Sequence, residues 1–122
     1  MRVPQMNMNE RIIRFFEARP EVVAVYLFGS RSRGRAKETS DVDLAILVDP
    51  RAKVDESELK RDLMIGLSGI LRKEIHLVIL NHAGEVLLAQ VFKYGKCLYN
   101  SKPDILSGFK MCSFQRSPIS PT

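Results

Sequence analysis

Two short apolar runs, VVAVYLF at residues 22–28 and DVDLAILV at residues 41–48, are separated by the twelve residues GSRSRGRAKETS. Both runs are rich in β-branched and aromatic side chains and lack the polar alternation of a half-exposed strand, so each predicts a buried β-strand. The segment between them has two glycines, dense charge and no apolar stretch, which makes it an exposed loop. A parallel pair needs a crossover, usually a helix, to bring the chain back to its starting end; a helix-free loop therefore predicts an antiparallel pair. That pairing excludes a regular βαβ repeat and constrains everything around it.

The flanking segments predict helices and one further core strand. Asn9 can cap a helix reaching about Ala18, with Ile12, Ile13 and Phe16 on one stripe and Pro20 ending it. Residues 57–73 carry Leu59, Leu63, Leu67, Ile70 and Leu71 at helical spacing. Residues 74–80 (EIHLVIL) read as a third strand, residues 84–94 as a helix closed by Gly95, and residues 96–100 as a short edge strand. Beyond Ser101 the composition shifts to Ser and Pro around Phe109, Met111 and Phe114 without a period, so residues 101–122 are expected to be a poorly ordered tail. The expected class is α+β, a two-layer fold with a small mixed or antiparallel sheet covered by helices. At 122 residues, 45% hydrophobic and 27% charged, the chain suits one domain and neither a disordered nor a fibrous protein. Its longest apolar run, seven residues, is far short of a membrane span. The opening MRVPQMNMNE has no secretory pattern, so the expected compartment is the cytoplasm. Cys97 and Cys112 form no disulfide framework or CxxC pair.

A net charge of +5 points first to a polyanion. Residues 31–40 alone hold Arg31, Arg33, Arg35 and Lys37 against Glu38, which accounts for the whole excess of residues 1–100. A nucleic-acid binder spreads basic residues along a face and interleaves aromatics for stacking. Concentration in one glycine-flanked loop argues instead for a compact anion. Gly29-Ser30 precedes that loop and Asp41-Val42-Asp43 follows it after ten residues. Side chains two apart on a strand share a face at about 7 Å, so Asp41 and Asp43 converge. Adjacent carboxylates repel unless a cation lies between them, and Mg²⁺ takes such oxygens while leaving positions for substrate phosphates. Gly29 permits close backbone approach to a phosphate, Ser30 offers a hydroxyl, and the arginines supply charge for a triphosphate. An isolated Asp-x-Asp is more often a solvated strand end; its fixed spacing from Gly-Ser distinguishes this one. GSRSRGRA mimics a P-loop, yet Arg35 and Ala36 stand where that motif needs Lys and Ser/Thr. His76, His82 and Cys97 show no zinc spacing.

The stretch GSRSRGRAKETSDVDLAILV resembles the signature of the minimal (MNT-type) nucleotidyltransferases of the DNA polymerase β superfamily: Gly-Ser, ten residues, then Asp-x-Asp. LVILNHAGEVLLAQVFKYGKCLY is similar to that family's last strand, helix and terminal strand, extending the likeness from about Val22 to Tyr99. The resemblance implies a polymerase β-like fold over residues 1–100 and transfer of AMP from ATP to an acceptor hydroxyl. It further implies an antitoxin that adenylylates a tyrosine of a HEPN-type ribonuclease toxin. Carried over by position, Gly29 and Ser30 hold the terminal phosphates, Asp41 and Asp43 bind Mg²⁺, and Arg33 or Arg35 neutralises the leaving pyrophosphate. The family's third carboxylate falls on His76. Imidazole is a poor Mg²⁺ ligand, which weakens the second site of a two-ion scheme. His76 could serve as a general base instead, or Glu74, two residues away on the same strand face, could replace the missing carboxylate. The alternative reading is a catalytically weakened nucleotide-binding module that neutralises its partner by complex formation. Oligomeric state is left open.

Overall fold

β1 (Val22–Phe28) and β2 (Val42–Val48) pair antiparallel, with Val25 opposite Ile46 and Phe28 opposite Asp43. The sequence between them, with no helical apolar pattern, predicts this pairing. The computed structural model describes residues 7–29 and 41–115, with side chains as far as residue 110. From β2 the chain crosses through α2 (Glu56–Leu71) and returns as β3 (Ile75–Ile79), which lies parallel to β2 with Val42 level with Ile75 and Asp43 level with His76. α3 (Glu85–Tyr94) then leads to β4 (Lys96–Asn100), antiparallel to β1 on its free side. The sheet is mixed, in the order β3-β2-β1-β4.

Alternate residues of β2 enter two different cores. Val42, Leu44, Ile46 and Val48 pack with Ile12 and Phe16 of α1 (Met8–Glu17) and with Leu63 and Leu67 of α2. Ala45 and Leu47 pack with Leu88 and Val91 of α3 and with Leu106 of α4 (Pro103–Gln115). Helices thus cover both faces, giving three layers where two were expected. The cause is visible in the central strands, whose residues are buried on either face and need cover on both. On the first face, Gly66 of α2 admits the Phe15 ring of α1, whose atoms would lie 2.8 Å from any Cβ at that position.

Several boundaries differ from the sequence reading. Asn7, rather than Asn9, caps α1: its side chain accepts from the Glu10 backbone N–H at 2.9 Å while Glu10 Oε1 accepts from the Asn7 N–H, a reciprocal capping box. Asp55 caps α2, which stops at Leu71 because Arg72 turns left-handed at φ 54°; Ile70, placed on the buried stripe by spacing, is exposed. After β3 the chain tightens into a 3-10 helix, Leu80–His82. There the Asn81 side chain accepts from Val48 N–H at 2.9 Å and donates to Val48 O at 2.7 Å, continuing the ladder where the strand has ended. Residues 103–115, expected to be tail, form α4, with Pro103 at the first helical position where its missing N–H is no loss. Leu106 is buried, and Ile105 and Phe109 pack beside it against the sheet. Residues 116–122 lie outside the described residues.

Candidate active site

Three strand ends meet at one edge of the sheet: the close of β1 at Phe28-Gly29, the opening of β2, and the opening of β3. Asp41 and Asp43 share a face with Ala45 and Leu47 by strand alternation, so they extend the α3/α4 side of the sheet. Parallel register brings Glu74 and His76 alongside on the same face, and the Val42 N–H donates to Glu74 O at 3.0 Å, holding the Glu74 backbone beside the start of β2. Asp41, Glu74 and His76 are exposed and Asp43 is half-buried. Polar side chains are stable here because the helices do not cover this end.

Gly29 adopts φ +80°, a left-handed conformation that a side chain disfavours. A Cβ built there would lie 2.5 Å from Asp43 Oδ2. The glycine is therefore required twice, for its backbone angle and because the Asp43 carboxylate occupies the space a side chain would fill. His76 Nε2 lies 3.0 Å from Asp41 Oδ2. This hydrogen bond, with the further charges of Asp43 and Glu74, raises the imidazole pKa above its ordinary 6.5. The contact favours the imidazolium, which lowers the ring's availability as a base.

Ligand atoms of Asp41, Glu74 and His76 all lie within 4.8 Å of one another. Two carboxylates and one imidazole within that span suit a divalent cation. Of the residues singled out in the sequence, Gly29, Asp41, Asp43 and His76 come together at this edge. Glu74, considered there as a substitute carboxylate, joins them from one residue ahead of β3. Ser30, Arg31, Arg33 and Arg35 lie outside the described residues. His82 is remote from this edge, bonded to Glu56 at the start of α2.

The polymerase beta nucleotidyltransferase family model matches residues 10–104. The chain is 33% identical over 100 residues to protein adenylyltransferase MntA of Shewanella oneidensis, an alignment covering 82% of this chain and 70% of that protein. Its structure is similar to a toxin-antitoxin crystal structure with AMP-PNP at 28% identity and TM-score 0.67, covering 91% of this chain and 94% of the other. It is also similar, at 27% identity and TM-score 0.61 over 92% of each chain, to a chain in the complex of tri-AMPylated Shewanella oneidensis HEPN toxin with MNT antitoxin. The family match spans all four strands and the carboxylate edge they form, and the curated relative agrees with it: the chain belongs to the polymerase β nucleotidyltransferase family.

Proposed function

We propose that the chain transfers AMP from ATP to a tyrosine hydroxyl of a HEPN-type ribonuclease toxin, in a Mg²⁺-dependent reaction, and thereby acts as its antitoxin. The observation that carries this reading is the seating of Asp43 against Gly29 with Asp41 on the same face. It sets a glycine backbone, which a phosphate can approach closely, beside two carboxylates of the kind that hold a divalent cation. The adenylyltransferase activity of the Shewanella relative, and the AMPylated toxin bound to a similar antitoxin, supply the substrate and acceptor classes. Asp41 and Asp43 would hold Mg²⁺, which when bound neutralises triphosphate charge and polarises phosphorus. Gly29 and Ser30 would line the phosphates, and Arg33 and Arg35 would offset charge on the departing pyrophosphate. Because β2 lies between β1 and β3, a triphosphate at the Gly29 end leaves the β3 side for the acceptor. The chain's work is positioning and charge compensation.

One observation favours the second reading, neutralisation by complex formation: His76, on which the resemblance places the family's third carboxylate, lies 3.0 Å from Asp41 Oδ2. Incubation with labelled ATP, Mg²⁺ and a HEPN-type toxin, with the protein encoded by the neighbouring gene as the first candidate, separates the two. The expected result is label on a toxin tyrosine, reduced about 100-fold or more in Asp43→Asn. Equal labelling by both proteins removes Asp43 from the mechanism. Loss of ribonuclease activity without label supports complex formation.

A further inference from the structure

α2 buries Leu63 and Leu67 against the sheet, yet Ile65, between them in sequence, is 66% exposed. Ile65 and its neighbour Met64 form a wall shared by two clefts of about 390 and 340 Å³. The first cleft extends back along α2 to Lys60 and Arg61; the second runs forward to Ser68 and on to Glu74 and Ile75 at the opening of β3. On α2 the two linings are centred about four residues apart, about one helical turn. Together they make one groove, and its forward end belongs to the candidate active site, because Glu74 lines both. β3 is the outer strand on this side of the sheet, the side that a nucleotide at Gly29 leaves to the acceptor. Charge divides the groove lengthwise. Lys60 and Arg61 are exposed at the far end and, among the described residues, join no ion pair. The site end carries Asp41, Asp43 and Glu74 instead, and the acidic Glu58 and Asp62 of α2 line a separate cleft with Glu21.

We infer that this groove docks the protein acceptor through a helix that carries two large apolar side chains one turn apart, with Asp or Glu beyond them over Lys60 and Arg61. Side chains at i and i+4 of an amphipathic helix have the spacing of the two clefts. Seated against Met64 and Ile65, they supply the contact energy, while the basic end speeds encounter and fixes register. The reversed orientation would set the acceptor's carboxylates against Glu74 and the aspartates, so charge directs the uncharged tyrosine to the site end. The inference rests on the nucleotidyl-transfer reading for the identity of the acceptor, a HEPN-type toxin.

The test uses the full chain with a HEPN-type toxin, the protein encoded by the neighbouring gene being the first candidate, and measures complex formation by calorimetry and transfer with labelled ATP. Ile65→Asp is expected to weaken the complex about 10-fold or more and to raise the KM for toxin by a similar factor. Its affinity for a non-hydrolysable ATP analogue and its melting temperature are expected to match the wild-type values. Ile65→Ser serves the same comparison if the charged variant melts early. Lys60→Glu combined with Arg61→Glu is expected to slow association and remove most of its salt dependence, whereas Asp62→Asn, in the separate cleft, changes neither. Unchanged toxin affinity in the Ile65 variants overturns the inference. So does self-association of the wild-type chain that Ile65→Asp abolishes, because a second copy then covers the groove. Binding that depends on Ile65 without label on the toxin keeps the docking surface and removes the transfer reading; label with no dependence on Ile65 does the reverse. Absence of any complex with the toxin overturns both.

Discussion

At the scale of single residues, the tightest constraint in the site falls on Gly29. Its φ of +80° and the 2.5 Å that would separate a Cβ from Asp43 Oδ2 are independent demands, met together only by glycine. Gly29→Ala is therefore expected to lower stability by about 1–2 kcal/mol through the left-handed backbone alone. By displacing the Asp43 carboxylate it should also cut AMP transfer by about 100-fold, since an ångström of misplacement costs that much. Urea denaturation and labelled-ATP transfer measured on the same preparation check both figures, and full activity would show that Asp43 has room to move. The importance of this glycine was legible from its place at a strand end before a charged loop, and that of Asp41 and Asp43 from two-residue alternation. Glu74 was harder to place. Its two-residue spacing from His76 was evident, but its approach to Asp41 depends on parallel register between β2 and β3.

Among the elements, α4 shows how a helix can escape sequence patterning. Its residues include Ser, Gly and scattered aromatics with no sustained period, yet Leu106 is buried and Phe109 meets Phe92 edge-on at 6.2 Å, which in turn meets Tyr26 at 5.5 Å. Lys110 lies over the rings of Tyr26 and Phe92. The helix is held by a partner surface: β1 and α3 leave an aromatic and aliphatic face that α4 covers. Leu106→Ala is expected to destabilise the protein by about 2–3 kcal/mol, the lower part of the range for a buried leucine because this site lies at the rim of its core. A denaturation midpoint unchanged by that substitution would mean α4 contributes no packing energy. α1 and α2, by contrast, were readable because each carries a strong apolar stripe; only their ends moved, and in both cases a side-chain cap at Asn7 or Asp55 set the start.

For the molecule as a whole, the end of the sheet opposite the site is tied together through Asp49. Its carboxylate accepts from Lys102 Nζ at 2.7 Å and from the Arg51 backbone N–H at 2.9 Å, while Lys102 also donates to Pro20 O, joining the end of β2, the approach to β1 and the entry to α4. Lys102 first, then Arg51, hold the Asp49 carboxyl well below the usual carboxylate range. A depressed folded pKa contributes stability above the unfolded value and loses it as pH falls through the folded one. Asp49→Asn is thus expected to melt at lower temperature at neutral pH, with the deficit closing only as pH falls below the ordinary aspartate value of 3.8. A deficit independent of pH in thermal melts would assign the effect to packing instead. The sequence by itself determined the antiparallel β1–β2 pair, the shared face of Asp41 and Asp43 and the glycine beside them, because a linking segment with no helical pattern and a period of two are local properties. The family resemblance already put His76 in the site, and two other features came only from the packed fold: its direct 3.0 Å contact with Asp41, and the cover that α4 gives the second face. Both depend on which strand lies beside which and on what surface the earlier elements leave bare, and no local pattern encodes either.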